Sequence, residues 1–215
     1  MTKPEILKRL LDPGIIAILR ADSSAQLLAV AEALLAGGVT AMEVTMTTPD
    51  ALQVISEVTA RFGERILMGV GSVLDAETAR AALLAGAEFV VTPVVRADVI
   101  RLCNRYSKPI ASGAFTPTEA LAAHELGSDF VKIFPADQLG PKFIQSLLAP
   151  LPMLQIIPTG GVTPETAGDF LSAGCVALGV GSPLVSKEIL KSSDWRKLME
   201  RAQEFVAAVR RTEVR

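Results

Sequence analysis

The chain has 215 residues, of which 50% are hydrophobic, 20% are charged and 5% are aromatic. So high a hydrophobic fraction excludes an intrinsically disordered chain, and this length provides a core that needs no disulfide or metal. The 21 basic and 23 acidic residues give a formal net charge of −2. A nucleic-acid-binding surface needs clustered positive charge, so we expect no nucleic-acid partner.

The cysteine and hydropathy patterns predict a cytoplasmic protein with no membrane partner. Cys103 and Cys175 form no Cys-x-x-Cys motif, and we predict that both are reduced thiols. The N-terminal residues carry no apolar signal segment, and no run of about 18 apolar residues follows that could cross a membrane.

Strand and helix patterns alternate along the chain after a short N-terminal helix. We predict strands near residues 15–20, 40–45, 66–70, 88–92, 109–112, 129–134, 154–158 and 176–180. We predict helices near residues 24–36, 49–61, 76–85, 96–106, 117–126, 139–148, 164–173 and 194–211.

A repeated pattern marks the ends of these elements. Four helices end at a glycine, the preferred left-handed residue after a helix, and a short apolar strand follows each: Gly38, Gly86, Gly127 and Gly174. Three helix starts carry a threonine N-cap before a proline: Thr48, Thr116 and Thr163. Asp75 opens another helix in a similar way.

Eight regular βα units predict a (β/α)8 TIM barrel, with residues 1–215 as one compact domain. The rival is a doubly wound open sheet. A nucleotide-binding form of that fold would carry Gly-x-Gly-x-x-Gly after its first strand, whereas this chain has Arg-Ala-Asp at 20–22. We therefore favour the barrel and expect no cofactor.

Two charged residues at predicted strand ends suggest chemistry, because barrel active sites lie at the carboxyl ends of the strands. Lys132 ends an otherwise apolar strand, and burial of an amine favours its neutral, nucleophilic form. Glu43 ends another strand and could move protons beside an imine. The alternative is a structural ion pair in which Glu43 only orients Lys132.

Glycines after the seventh and eighth strands suggest a phosphate site. Gly160 and Gly161 follow one strand, and Gly181 and Ser182 follow the next. Small residues let backbone N–H groups approach an anion, and these two loops are the usual phosphate site of a barrel. The alternative is a pair of tight turns that need glycine for conformational reasons.

Further strand-end residues could hold a carboxylate. Arg20 offers a guanidinium that fits a carboxylate with two hydrogen bonds, unless it forms a surface ion pair. Ser72, Thr45 and Thr159 could add hydroxyl donors, or could be turn hydroxyls. His124 is the only histidine and lies in a predicted helix, so we expect no metal site.

Five motifs together resemble one family of enzymes. They are IIAILR at 15–20, GGV to EVT at 37–45, GVGSVL at 69–74, VKIFP at 131–135 and PTGGV at 158–162. In this order they resemble the 2-keto-3-deoxy-6-phosphogluconate and 4-hydroxy-2-oxoglutarate aldolases, which are class I, Schiff-base enzymes. The resemblance spans roughly residues 13 to 187.

The resemblance implies a role for each matching position. Lys132 falls on the Schiff-base lysine, Glu43 on the acid/base glutamate, and Ser72 on a hydroxyl near the pyruvate carboxylate. Ser182 falls on the phosphate-contacting serine, beside three glycines. Thr159 falls on the threonine of the family's Pro-Thr-Gly-Gly motif, and the three glycines are Gly160, Gly161 and Gly181. We also predict that Thr47, Pro93 and Phe134 line the substrate.

One position departs from the family pattern. Many members have an arginine four residues after the glutamate, where this chain has Thr47. Relatives with that change can carry an arginine at the end of the first strand, which predicts that Arg20 takes over the carboxylate. The family also implies a homotrimer without metal or cofactor.

The predicted activity is cleavage of 2-keto-3-deoxy-6-phosphogluconate to pyruvate and glyceraldehyde 3-phosphate. Cleavage of 4-hydroxy-2-oxoglutarate to pyruvate and glyoxylate is a further candidate activity. The alternatives are a 2-keto-3-deoxy-6-phosphogalactonate aldolase, a sugar-phosphate isomerase or epimerase, and a non-catalytic barrel that binds a phosphorylated metabolite.

Overall fold

A computed structural model of the chain describes residues 1–20 and 24–213, and in this part of the chain strands and helices alternate. The strands are β1 (Ile15–Leu19), β2 (Ala41–Thr45), β3 (Leu67–Gly71), β4 (Phe89–Val91), β5 (Ile110–Ala114), β6 (Phe130–Ile133), β7 (Ile156–Pro158) and β8 (Leu178–Val180). The helices are α1 (Lys3–Leu11), α2 (Ser24–Ala36), α3 (Ala51–Phe62), α4 (Ala76–Leu84), α5 (Ala97–Arg105), α6 (Pro117–Glu125), α7 (Gly140–Leu148), α8 (Pro164–Ser172), α9 (Lys187–Ser192) and α10 (Trp195–Glu213).

The eight strands are parallel and form a barrel. Consecutive strands pair from β1 to β7, and β1 also pairs with β8. A parallel bridge between Thr159 and Gly179 joins β7 to β8 and closes the ring. This order confirms the (β/α)8 prediction and rules out the open sheet.

The repeated boundary signals are mostly confirmed. The four glycines predicted to follow helices have φ between 89° and 111°. The side chains of Thr116, Thr163 and Asp75 each accept a hydrogen bond from the backbone N–H three residues further on, as N-caps do. The final helix, α10, packs against α2 and α8, so it covers the barrel as predicted.

The predicted cap at Thr48 is wrong. Helix α3 begins at Ala51, after Asp50 in a left-handed conformation with φ 52°. The N–H of Thr48 donates to the carbonyl of Thr45 at 2.9 Å, which makes a turn at the end of β2. Because of this turn, Thr48 stays beside β2 and the helix begins three residues later, at Ala51.

A short helix, α9, was not predicted. Ser186 caps it by accepting a hydrogen bond from the N–H of Ile189. The predicted strands near 154–158 and 176–180 each begin two residues later in the structure. The assignment of residues 1–215 to one domain stays a prediction.

Both cysteines are free and buried. Burial raises the pKa of each thiol to about 12, so neither forms a thiolate near neutral pH. Within residues 1–20 and 24–213, no helix combines the length and apolar character needed to cross a membrane.

Candidate active site

Side-chain alternation divides the barrel interior into two layers. The lower layer lies at the amino ends of the strands, and Ile6 and Leu10 of α1 pack against it. Its strand residues are Ile16, Ala41, Leu67, Phe89, Ala111, Phe130, Ile157 and Ala177, and Val91 from the layer above packs against the same cluster. Residues two positions further along each strand face the interior again. These form the upper layer: Ile18, Glu43, Gly69, Val91, Gly113, Lys132, Thr159 and Gly179.

The upper layer brings the two predicted catalytic residues together. The Nζ atom of Lys132 lies 4.0 Å from Oε1 of Glu43. Only 8% of Lys132 and 2% of Glu43 are exposed. A separation of 4.0 Å exceeds hydrogen-bond length, so the amine is not tied to the carboxylate and can reach another group.

The environment of Glu43 favours its protonated form. Burial raises the pKa of its carboxyl group, and the positive charges of Lys132 and Arg20 oppose this rise. Within the described ranges, no side chain or backbone N–H donates a hydrogen bond to this carboxylate. A carboxyl group with a raised pKa can both take up and return a proton nearer neutral pH.

Glycines make room around this pair. A Cβ atom on Gly71 would lie 2.5 Å from Oε1 of Glu43. Any larger residue at this position would therefore displace the carboxylate. A Cβ atom on Gly179 would overlap Oγ1 of Thr159. Glycine inside a strand often marks such a close approach.

Phe134 lies above Lys132 at the mouth of the barrel. Its ring centroid is 5.4 Å from the Nζ atom of Lys132, within the range of a cation–π interaction. Phe134 is 39% exposed, whereas Lys132 is buried. The ring can stabilise a positive charge on the Nζ atom.

The hydroxyl groups at the end of β2 form a cluster. Oγ1 of Thr45 lies 2.9 Å from Oγ1 of Thr47 and 3.5 Å from Oγ1 of Thr48. Thr45 is buried two residues beyond Glu43, whereas Thr47 is exposed. The position where many relatives have an arginine therefore holds an uncharged hydroxyl.

Ser72 follows β3 in a left-handed conformation with φ 59°. Residues other than glycine rarely adopt this conformation, and where they do, it often marks a functional site. Ser72 is half-buried directly after Gly71, the residue that packs on Glu43. This placement is compatible with the predicted role of its hydroxyl near the bound keto acid.

A cavity of about 210 Å³ opens at the ends of β1, β7 and β8. It is lined by Ile18, Arg20, Phe134, Thr159, Gly160, Gly161, Gly181, Ser182, Pro183 and Val185. Arg20 is exposed and, among the described residues, has no acidic partner at ion-pair distance. The cavity therefore combines an available guanidinium with both glycine loops.

The backbone of these loops offers hydrogen-bond donors. The N–H groups of Gly161 and Ser182 donate to no acceptor in residues 1–20 and 24–213. Gly160 and Gly161 have φ of 98° and 70°. Free N–H groups that converge on a cavity are the usual cradle for an anion.

The structure does not bring every predicted residue into that cavity. The predicted residues outside its lining are Lys132, Glu43, Thr45, Thr47, Ser72 and Pro93. Phe134, which lines the cavity, connects it to the catalytic pair, because its ring centroid lies 5.4 Å from the Nζ atom of Lys132. Gly71 packs against Glu43 but was not predicted as a site residue, although a glycine facing the interior of a buried strand could have indicated it. The lining residues Pro183 and Val185 carried no such signal.

A larger cavity, of about 810 Å³, lies at the opposite end of the barrel beside α1. Its lining comes from α1, the residues that flank it and Glu64, far from Lys132. Across the described part of the chain, no group of three His, Cys, Asp or Glu side chains could hold a metal ion.

Comparison with known proteins identifies related sequences over most of the chain. A sequence model of the family described as "KDPG and KHG aldolase" matches residues 6–201. The 2-dehydro-3-deoxy-6-phosphogalactonate aldolase of Escherichia coli is 36% identical over 79% of this chain and 83% of that protein. The 2-dehydro-3-deoxy-phosphogluconate aldolase of Haemophilus influenzae is 30% identical over 97% of this chain and 99% of that protein.

A solved structure resembles both the fold and the sequence. It is the KDPG aldolase from Legionella pneumophila, described with pyruvate captured at low pH as a covalent carbinolamine intermediate. Its TM-score with this chain is 0.83 at 25% identity, over 88% of this chain and 92% of that one.

Proposed function

The chain belongs to the KDPG and KHG aldolase family, a family of lyases, and from this premise we propose the reaction that its site performs. The protein cleaves 2-keto-3-deoxy-6-phosphogluconate (KDPG) to pyruvate and glyceraldehyde 3-phosphate. 4-Hydroxy-2-oxoglutarate (KHG) is a second substrate, cleaved to pyruvate and glyoxylate. The observation that carries this proposal is the buried pair of Lys132 and Glu43, 4.0 Å apart at the mouth of the barrel.

Lys132 is the nucleophile. Its neutral Nζ attacks the C2 ketone to give a carbinolamine, which takes up a proton from Glu43 and loses water to give an iminium ion. Glu43 is the nearest acidic group, so it can take the proton that the amine must lose first. The ring of Phe134 faces the nitrogen that becomes positively charged.

Glu43 moves the protons of the cleavage step. It accepts the proton of the C4 hydroxyl as the C3–C4 bond breaks, and that electron pair forms an enamine with the iminium as electron sink. C4 leaves as the aldehyde. Glu43 then returns the proton to C3, and water hydrolyses the resulting iminium to pyruvate and free Lys132.

The loops after β7 and β8 hold the phosphate of the substrate. The donors are the free N–H groups of Gly161 and Ser182, together with the Ser182 hydroxyl. Gly160 and Gly181 leave space beside them. Binding at this remote group fixes the substrate with C2 at Lys132.

Arg20 holds the carboxylate, in place of the arginine that the family often has at Thr47. Its guanidinium is exposed, and its charge reaches Glu43. Ser72, Thr45 and Thr159 supply hydroxyl groups at the same end, and Pro93 lines the substrate beside them.

Arg20 also lines the cavity that contains both glycine loops. This position gives it a second candidate role, in which it binds the phosphate rather than the carboxylate. Pyruvate has a carboxylate and no phosphate, so it separates the two roles. If Arg20→Leu weakens pyruvate binding, the guanidinium holds the carboxylate. If it raises KM only for phosphorylated substrates, the guanidinium holds the phosphate.

The phosphogalactonate epimer is the alternative substrate, since a relative named for it is 36% identical to this chain. The test is pyruvate release from KDPG, its C4 epimer and KHG, measured as kcat/KM. We expect the highest value with KDPG and a measurable value with KHG. A higher value with the epimer would assign that substrate instead, and release from none of them would reject aldol cleavage.

We infer that the protein is a cytoplasmic homotrimer. Three exposed apolar side chains follow consecutive strands of the barrel: Leu74 after β3, Val94 after β4 and Phe115 after β5. A second copy that covered these side chains would remove them from water. Light scattering should give a trimer mass for the wild type and a smaller mass for Leu74→Glu, whereas a monomeric wild type would contradict the assembly.

A further inference from the structure

Asp137 is an acidic residue that packs against the proposed phosphate loop. It belongs to the 3-10 turn Ala136–Gln138, which follows β6. A Cβ atom on Gly161 would overlap Cβ of Asp137 and would lie 3.2 Å from its carboxyl carbon, Cγ. A carboxyl group therefore lies beside Gly161, whose free N–H is one of the proposed phosphate donors.

Backbone contacts hold this turn against the loop. The N–H of Ala136 donates to the carbonyl of Thr159 at 2.7 Å. A Cβ atom on Gly160 would lie 3.4 Å from the backbone nitrogen of Ala136, so the two segments are close here as well. The carboxyl group of Asp137 is thus kept near Gly161 by the main chain.

The charge of Asp137 is not compensated by a partner. The residue is exposed, and within residues 1–20 and 24–213 its carboxylate forms no ion pair and accepts no hydrogen bond. Asp98, in contrast, is paired with Arg96 at 2.8 Å. The negative charge of Asp137 therefore acts on whatever binds at the neighbouring loop.

Asp137 does not line the cavity, although Gly161 does. Its carboxylate therefore makes no direct contact with a ligand there, and its influence on the ligand is electrostatic. A negative charge this close to an anion site opposes the binding of an anion, and most strongly that of a phosphate dianion.

We propose that Asp137 is a positioning residue that limits the affinity of the phosphate site. Its carboxylate repels the phosphate at Gly161 and Ser182, so that glyceraldehyde 3-phosphate leaves after the C3–C4 bond is cleaved. Binding that is equally strong at every step raises affinity without speeding the chemistry, so a weaker hold on the phosphate favours turnover. This inference rests on the proposed function, because it needs the phosphate at these loops.

The test measures the binding of glycerol 3-phosphate, which resembles the phosphorylated product but has no carbonyl group to react with Lys132. Calorimetry gives its Kd. Asp137→Asn keeps the size of the side chain and removes the charge, so we expect Kd to fall by about 3- to 10-fold. Asp137→Glu keeps the charge and should leave Kd close to the wild-type value.

Salt and substrate choice separate charge from structure. The difference in Kd between the wild type and Asp137→Asn should shrink as the salt concentration rises to about 1 M, where charges are screened beyond about 3 Å. In Asp137→Asn, KM should fall for KDPG and stay unchanged for KHG, which has no phosphate. A merely structural role would not give this pattern.

Glu125→Gln is the matched control. Glu125 is an exposed acid at the C-terminal end of α6, and helices of a barrel end on the face opposite the active site. The variant removes the same charge far from the loops and should keep the wild-type Kd.

Two results would overturn the proposal: an unchanged or higher Kd in Asp137→Asn, or an equal fall in Glu125→Gln. If the wild type did not bind glycerol 3-phosphate, or if Ser182→Ala did not weaken its binding, the phosphate would not lie at these loops. That outcome would contradict the proposed phosphate site, and the role of Asp137 with it.

Discussion

The two layers of the barrel interior differ in what they contribute. The lower layer is filled by apolar side chains, including Phe89 and Phe130, and α1 closes it. The upper layer, only two residues further along each strand, holds a lysine, a glutamate and glycines. The lower layer stabilises the fold, whereas the upper layer contains a buried carboxyl group, which costs stability. The variants below change the upper layer, the side chains that pack against either layer, or the phosphate loops, and each measurement shows whether activity or stability responds.

The largest effect is expected from Lys132→Ala. Without the amine no imine forms, and kcat/KM should fall by about 10⁴-fold or more. Lys108→Ala is the matched control, because Lys108 also pairs with a glutamate but lies outside the site. Activity within tenfold of wild type in Lys132→Ala would contradict the role of this residue.

Glu43→Gln should lower kcat by roughly 10²- to 10⁴-fold, because the amide cannot exchange protons. The wild-type rate should fall as the pH drops through the pKa of Glu43, since the charged form accepts the C4 hydroxyl proton. Burial raises this pKa, so the acidic limb of the pH profile should lie above 4.5, the ordinary value for glutamate. The limb should disappear from the residual activity of the variant, and its persistence there would assign it to another group.

Two glycine variants on β3 compare the layers through the side chain that each new methyl group would meet. In Gly71→Ala the new methyl group displaces the Glu43 carboxylate, and we expect a loss of about 10²-fold in kcat. In Gly69→Ala it meets the ring of Phe89 in the lower layer, and we expect a loss of about 1–3 kcal/mol in the free energy of unfolding. Enzyme kinetics would measure kcat for both variants, and thermal melts would measure their loss of stability. Equal effects on activity would show that the layers are not separable.

The smallest effect is expected from Ser182→Ala. Loss of one hydrogen bond to a charged phosphate should raise KM for KDPG by roughly tenfold, with little change in kcat. KM for KHG should stay unchanged because this substrate has no phosphate. A similar rise for both substrates would place the phosphate elsewhere.

The barrel could be predicted from the sequence because the strand–helix unit repeats eight times and the signals at its boundaries are local. A left-handed glycine after a helix, as at Gly86, and a capping box, as at Thr116, depend only on nearby residues. The same reasoning failed at Thr48, whose N–H bonds back to Thr45, because a turn at a strand end competes with a helix cap for the same residue. No local signal shows which of the two wins.

The candidate site was predictable residue by residue but not as an arrangement. Period-two alternation indicates that Glu43 and Lys132 both face the interior, yet their 4.0 Å separation depends on how far the strands are staggered around the barrel. The contact between Gly71 and Glu43 joins two strands, and the contact between Gly161 and Asp137 joins the segments that follow two others. Such contacts follow from strand register, which the pattern of a single strand does not determine.

The most direct test of the Schiff-base proposal is reduction of the protein with sodium borohydride in the presence of pyruvate, followed by peptide mass analysis. We predict one adduct, on the peptide that contains Lys132, and none in Lys132→Ala. An adduct on a different lysine, or no adduct while calorimetry shows that pyruvate binds, would contradict the proposal that Lys132 forms an imine.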